Sequence, residues 1–419
     1  MESSEKEIKR KKRTLSVIII SLFFLWGMAN NMTDTLLYTF KSVLNMSNLQ
    51  TFFIKFASYG AYFCFSLPAF FFIRKHGYKN SIILGLLMYA GGAVLFFPAA
   101  NLMNYTLYLI AFYIMAGGCS VLETVANPYI MAMESDANKG IRKLNLAQSF
   151  NPLGSIFGII ICNIFVMESD TFGFNNNAEI IKEELDTITI VYAAIGQILL
   201  IYMMILLFMN VPSYGLTSKD KILFSKSMNR LLNNKSFILG LITMFLYLGA
   251  QAGVWSFTTS ALKATSNITD ESASKWYIAV IAAFMIGRFF FTFLMKYYNH
   301  RILLLIAALG ALLGTAIVMF AQGIAVLIAI IFISFFMSLM FSTIFGNAIA
   351  ETFQDRQLAS ALLIMAILGG AVITTMQGFV VEKFDIQTSY VIPALCFFSV
   401  TFYAVYLIMK AQNKYENLT

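Results

Sequence analysis

Residues Phe23 to Phe40 read FFLWGMANNMTDTLLYTF. The stretch is apolar at both ends, yet it carries Asn30, Asn31 and Asp34 near its centre. A carboxylate at the middle of a bilayer costs about 2.5–3.5 kcal/mol on insertion scales. A membrane-spanning helix keeps one only where it faces protein or a watery cavity. Asn31 and Asp34 are spaced i, i+3, so a helix projects both from one face. That face is expected to line a polar path. The alternative is a cap at a helix end in the headgroup region, but apolar residues continue on both sides of Asp34.

Working outward, the whole chain has the composition of a membrane protein. Of its 419 residues 59% are hydrophobic and 12% charged, with a mean hydropathy of +0.75. A soluble domain is roughly a quarter charged. Apolar blocks long enough to cross the ~30 Å hydrocarbon core as helices recur along the chain. Twelve are expected, at about 15–37, 51–73, 80–100, 105–133, 144–167, 187–211, 235–262, 275–297, 301–321, 324–350, 357–381 and 387–410. The first follows a basic start but is too long and polar for a signal peptide, and is expected to remain in the mature protein.

The net charge of +8 is placed in a way that argues for a membrane and against nucleic acid. With the N-terminus inside, 22 of the 29 Lys and Arg fall in cytoplasmic segments, six in external ones, and Arg288 within a span. The positive-inside rule then sets both termini in the cytoplasm. Residues 1–14 read as a solvated basic tail against anionic headgroups. Cys64, Cys119, Cys162 and Cys396 all lie in spans without metal-ligand spacing and read as small packing residues. No metal is expected. His76 and His300 lie in cytoplasmic turns and are assigned no chemistry.

Residues 212–234 are the longest cytoplasmic connection and divide the spans six against six. The halves echo each other: Arg74-Lys75-His76-Gly77-Tyr78-Lys79 follows the second span, and Lys296-Tyr297-Tyr298-Asn299-His300-Arg301 follows the eighth, 222 residues later. A duplicated six-span unit leaves such a trace, and places a central site between two parallel-related halves. The expected organisation is a first bundle at 1–211 with its basic tail, a linker at 212–234, and a second bundle at 235–419. The external loop 168–186, with six acids and one lysine, reads as solvated.

The remaining polar residues within spans form two further groups. Gly117-Gly118-Cys119-Ser120 permits close helix approach, and Glu123 and Asn127 follow on one face before Pro128. In the fifth span Asn145, Gln148 and Asn151 recur every third residue. Carboxamides in such a ladder offer donors and acceptors together, as a polyhydroxylated neutral ligand requires. Interhelical hydrogen bonding is the competing reading, at about 0.6 kcal/mol per bond on average. In the second half Gln251 and Trp255 share a face of the seventh span, as Asn347 and Glu351 do in the tenth. Gln377 sits late in the eleventh span. Neither acid of the first half has a counterpart at the 222-residue offset, where Ser256 and Phe345 stand. Arg288 reads as snorkelling or as paired at a helix seam, Glu351 as a gate or surface charge, and Trp26 as packing.

These residues are similar to the fucose–proton symporter group of the major facilitator superfamily. The resemblance covers nearly the whole chain. It runs through Phe24-Leu25-Trp26-Gly27-Met28-Ala29-Asn30-Asn31, Leu122-Glu123-Thr124-Val125-Ala126-Asn127-Pro128 and Leu144-Asn145-Leu146-Ala147-Gln148-Ser149-Phe150-Asn151-Pro152-Leu153-Gly154. In the second half it includes Gly249-Ala250-Gln251-Ala252-Gly253-Val254-Trp255-Ser256, Gly287-Arg288-Phe289 and Ile392-Pro393-Ala394-Leu395-Cys396-Phe397. It implies an all-α major facilitator fold, with two six-helix bundles around a central cavity, moving sugar on the proton gradient. By matching position it implies that Asp34 and Glu123 couple the proton and help recognise sugar, and that Asn31, Gln148 and Asn151 line the sugar cavity. Thr33 stands where the group has Asn, and Asn347-Ala348-Ile349-Ala350-Glu351 departs from the fucose proteins. Both departures admit galactose, glucose or mannose as substrate.

The expectation is thus a proton-coupled monosaccharide symporter, for L-fucose or a related hexose. Asn31, Asp34, Glu123, Asn127, Gln148, Asn151, Gln251 and Trp255 are its candidate substrate residues, and Asp34 and Glu123 its proton-coupling residues. No cofactor is expected beyond the proton as coupling ion. The expected partners are the sugar and the lipid bilayer, with the protein a monomer in a bacterial inner membrane. An intramembrane enzyme would need a nucleophile with its base, or a metal cluster, within the spans, and the sequence offers neither. A receptor would need an output domain, and none is read beside the spans. Within transport, passive or sodium-coupled movement is the alternative.

Overall fold

The computed structural model describes residues 14–28, 48–134, 136–166, 178–209, 211–212, 224–266, 268–352 and 354–416. Among these residues every regular element is a helix. α1 is Thr14–Met28, and Asn31 and Asp34 lie beyond it, outside the described residues. α2, Asn48–Val94, carries both the second and third expected spans and is broken at Gly77, whose φ of 78° favours glycine. The short α3, Phe96–Asn101, continues the third span. α4 is Tyr105–Ala132 and α5 is Ala137–Val166; they run on through Pro128 and Pro152. α6 is Ala178–Phe208. The helix therefore begins inside the acidic stretch expected to be a solvated loop. Glu and Lys form helices well, and acids favour a helix N-terminus, so this segment needs no apolar face to extend α6.

The linker contains a helix of its own, α7, Phe224–Leu232. After it come α8, Lys235–Ser266, α9, Asp270–Leu294, and α10, His300–Phe320. The tenth expected span is split into α11, Ile324–Met337, and α12, Met340–Ala350. The eleventh is α13, Arg356–Met365, joined by a 3-10 turn at Ala366–Leu368 to α14, Gly369–Lys383. α15, Val391–Glu416, closes the chain. Each of the twelve expected blocks is mostly helix over its described residues. Polar side chains start several helices: Asn299 Oδ1 accepts from Arg301 N at 2.9 Å, and Asp136 Oδ1 from Asn138 N at 2.7 Å.

Nine helical stretches among the described residues are long and apolar enough to cross a membrane, and one of them, Phe56–Asn101, holds two expected spans. Many of their large apolar side chains are exposed, Phe208, Phe320 and Leu395 among them. In water such a surface would aggregate; against lipid it is the natural exterior.

The described residues form two compact units. One lies within Met1–Tyr129 and Leu153–Ser218, the other within Ile130–Pro152 and Lys219–Thr419. Residues 130–152, part of the expected first bundle, thus pack with the second unit. In the first unit Phe96 stacks on Tyr192 at 4.0 Å and meets Phe112 edge-on at 4.9 Å. Such pairs contribute about 0.5–1.5 kcal/mol each beyond area burial. Gly154 brings α5 against α1: a Cβ there would lie 2.0 Å from the Phe24 carbonyl oxygen. Ser155 Oγ donates to the Gly27 carbonyl at 3.2 Å beside it. Trp26 is buried and packs on Phe23 at 4.2 Å, a packing role as expected.

In the second unit α8 packs on α12, α14 and α15, and α10 on α11 and α15. The Tyr247 hydroxyl on α8 donates to the Met337 carbonyl at 2.9 Å, where α11 ends. α7 is tied down by Arg230, whose Nε and Nη2 donate to Asp355 Oδ2 and Oδ1 at 2.8 and 2.6 Å. This forked geometry holds a linker helix more firmly than a single ion pair would.

Candidate functional site

In the first unit the polar centre is built where α2 meets α4. Glu123 is 9% exposed, and the Tyr62 hydroxyl donates to its Oε1 at 3.0 Å. Three residues earlier on the same α4 face, Ser120 Oγ donates to the Tyr62 carbonyl at 3.2 Å. One tyrosine is thus gripped at backbone and ring by residues spaced i, i+3. Gly117 lets α4 approach this part of α2, since a Cβ there would stand 2.7 Å from the Phe65 ring, and Gly118 does the same for the part beyond Gly77, 2.6 Å from the Tyr89 nitrogen. The Cys119 thiol lies among Glu123, Tyr62 and Tyr89. Asn127 follows Glu123 by one turn and is fully buried.

The second unit gathers a different set. Arg288 on α9 is 4% exposed, so it does not snorkel. Its Nε donates to the Ser338 carbonyl at 3.0 Å, in the break between α11 and α12. Its Nη1 donates to Gln148 Oε1 at 3.1 Å and also to the Gln148 carbonyl. The guanidinium lies 4.6 Å from the centre of the Phe284 ring, a cation–π contact. Phe284 in turn meets Trp255 edge-on at 5.0 Å. Trp255 Nε1 donates to Ser334 Oγ at 3.4 Å. Gln148 and Trp255 are therefore linked through Arg288 and Phe284, within one unit.

Asn145 goes to packing: its Nδ2 donates to Thr292 Oγ1 at 2.7 Å and to the Arg288 carbonyl at 3.4 Å. Asn151 and Gln251 are half-buried on α5 and α8. Asn347 Oδ1 bonds His300 Nε2 at 3.1 Å, and its Nδ2 donates to the Thr343 carbonyl at 2.8 Å. Glu351 is exposed and ion-paired with Lys410, a surface charge. Gln377 is fully buried against Gly253 on α8.

Asn31 and Asp34 fall outside the described residues; within the first unit Glu123 and Asn127 stand one turn apart on α4, and within the second Gln148 and Trp255 are linked through Arg288 and Phe284. Sequence reasoning missed Tyr62 and Phe284. A lone tyrosine or phenylalanine in an apolar block carries no signal, with 20 Tyr and 41 Phe in the chain. Arg288 did carry one, since an arginine inside a span calls for a function by default.

Chemically, the first cluster can hold a proton on a desolvated carboxyl group with a hydrogen-bond donor beside it. The second offers an amide oriented by a guanidinium and a half-buried indole. Among the described residues no group of three or more His, Cys, Asp and Glu is placed to hold a metal.

A helical membrane chain with these two polar centres has the features of a secondary transporter. Residues 23–373 match the Major Facilitator Superfamily, and the chain belongs to that superfamily. It is 32% identical over 418 residues to the L-fucose-proton symporter of Haemophilus influenzae, covering 95% of this chain and 97% of the relative. It is 28% identical to a putative glucose/galactose transporter of Helicobacter pylori, over 95% of this chain and 97% of that one. Among solved structures it resembles that of a Major Facilitator Superfamily transporter, FucP, in the outward conformation. There the TM-score is 0.87 at 32% identity, over 94% of this chain and 99% of the other. These relatives are transporters, not enzymes.

Proposed function

We propose that the chain is a secondary active transporter that carries a monosaccharide, L-fucose or a related hexose, together with a proton. One observation carries the reading most directly. A buried carboxyl group, Glu123, sits at a close helix contact in a chain 32% identical along nearly its whole length to an L-fucose-proton symporter. Desolvation disfavours the charged form of a carboxyl group. Glu123 and Asp34 take up a proton from outside and cross neutral with the sugar. They release the proton where inward-facing water solvates the anion. Asn31, Asn127, Gln148, Asn151, Gln251 and Trp255 contact the sugar, the amides its hydroxyls and the indole its apolar face. The duplicated halves, 1–211 and 235–419, alternate access about that site, joined by the linker at 212–234. The protein works as a monomer in a bacterial inner membrane with both termini in the cytoplasm. The proton is its coupling ion, and it uses no cofactor.

The glucose/galactose relative and the Thr33 departure keep hexoses other than fucose within the reading. Uptake into sealed vesicles is the test, with labelled L-fucose, galactose, glucose and mannose under imposed proton or sodium gradients. The reading predicts accumulation of at least one of them on an inward proton gradient without sodium. Accumulation that needs sodium and ignores a proton uncoupler would contradict it.

A further inference from the structure

Tyr62 has no part in the expected site, yet its hydroxyl donates to Glu123. We propose that Tyr62 is a positioning residue for proton transfer at Glu123. Its phenolic O–H, presented from α2, donates to the carboxyl oxygen and favours the anion that remains when the proton leaves. The inference rests on the reading of Glu123 as a coupling acid.

The geometry is specific. α4 holds Tyr62 at two points: Ser120 Oγ donates to the Tyr62 carbonyl at 3.2 Å, and Glu123 Oε1 accepts from the hydroxyl at 3.0 Å. Tyr62 and Glu123 are both buried, so water competes poorly for this bond. Among the described residues, Cys119, one turn earlier on α4, and Tyr89, from α2 beyond Gly77, are titratable groups beside this contact. Both are neutral in their protonated forms, and the Tyr62 hydroxyl presents an oriented dipole to the carboxylate. A hydrogen bond to an ionised carboxylate is stronger than one to its neutral acid. The proton leaves Glu123 for water, the O–H electron pair stays on the carboxylate, and Tyr62 stabilises that charge without giving up its own proton. A purely structural tyrosine would fill the same space and leave proton release unaffected.

The test reads the Glu123 carboxyl directly, by infrared titration of the full chain in lipid without sugar. Its band is identified by loss in Glu123→Gln. Tyr62→Phe keeps the ring and removes the donor. Its titration midpoint is expected to rise by about one pH unit, the difference between a charged and a neutral hydrogen bond. The carbonyl band should also move to higher frequency. Tyr62→Gln restores a donor and should return the midpoint towards the wild-type value. An unmoved midpoint and band in Tyr62→Phe would overturn the role of Tyr62. If that variant does not insert, the unchanged sequence labelled with fluorinated tyrosine, a more acidic donor, should titrate at lower pH. No movement there counts equally against the proposal. Uphill uptake separates the two levels. Normal proton-driven accumulation by Glu123→Gln removes the coupling role on which the inference rests. Loss of accumulation with an unmoved Tyr62→Phe midpoint removes only the inference.

Discussion

At Arg288 one buried cation is satisfied by the Gln148 side chain, two backbone carbonyls and the face of Phe284. Stripping acceptors from a buried charge costs more than losing a neutral bond, so Gln148 has a structural duty beside the sugar contact proposed for it. Gln148→Ala is expected to weaken sugar binding by about 2- to 12-fold, the worth of a net hydrogen bond at 0.5–1.5 kcal/mol. Asn145→Ala, three residues earlier, removes the Thr292 partner and should lower thermal stability more than affinity. Titration calorimetry beside melting curves in detergent checks the pair, and equal effects of both on affinity would contradict the assignment. The spacing of the ladder was legible in the sequence because it repeats every third residue, whereas the division of labour within it was not. Asn145 and Gln148 look alike until α9 is placed against them.

At the scale of elements, the apolar blocks show where helices lie because hydrophobic length is written in the composition. Breaks are less visible. The split between α11 and α12 falls in Met337-Ser338-Leu339, with no proline or glycine to announce it. It is stabilised from elsewhere, by Tyr247 on the Met337 carbonyl and Arg288 on the Ser338 carbonyl. The acidic opening of α6 and the Arg230 anchor of α7 depend likewise on helix propensity and tertiary partners, which an apolar count passes over. Close approaches lie between these cases. Gly154 stands out in the sequence as part of Asn151-Pro152-Leu153-Gly154, but its reason is the Phe24 carbonyl across the α1–α5 contact. Gly154→Ala would put a methyl group into rigid backbone. A loss of about 1–3 kcal/mol is expected, the usual cost of overpacking. The yield and melting temperature of the purified variant measure it, and a wild-type melting curve would show that the contact is looser than described.

For the molecule as a whole, membrane residence was legible from the mean hydropathy and from the placement of Lys and Arg, and family membership from motifs spread along the chain. The association of residues 130–152 with the second unit was not, because it depends on α5 meeting Arg288 and Thr292 far away in sequence. The central claim is that sugar moves with a proton carried on membrane carboxyl groups, and Asp34 tests it most sharply. Asp34→Asn keeps the shape and an acceptor oxygen but cannot gain or lose a proton. A helix cap would hardly notice, since Asn caps about as well as Asp. The measurement is proton-driven accumulation and sugar counterflow, side by side, on reconstituted Asp34→Asn protein. The account predicts normal insertion, loss of accumulation, and counterflow that persists because exchange needs no net proton release. Accumulation at the wild-type level would contradict it.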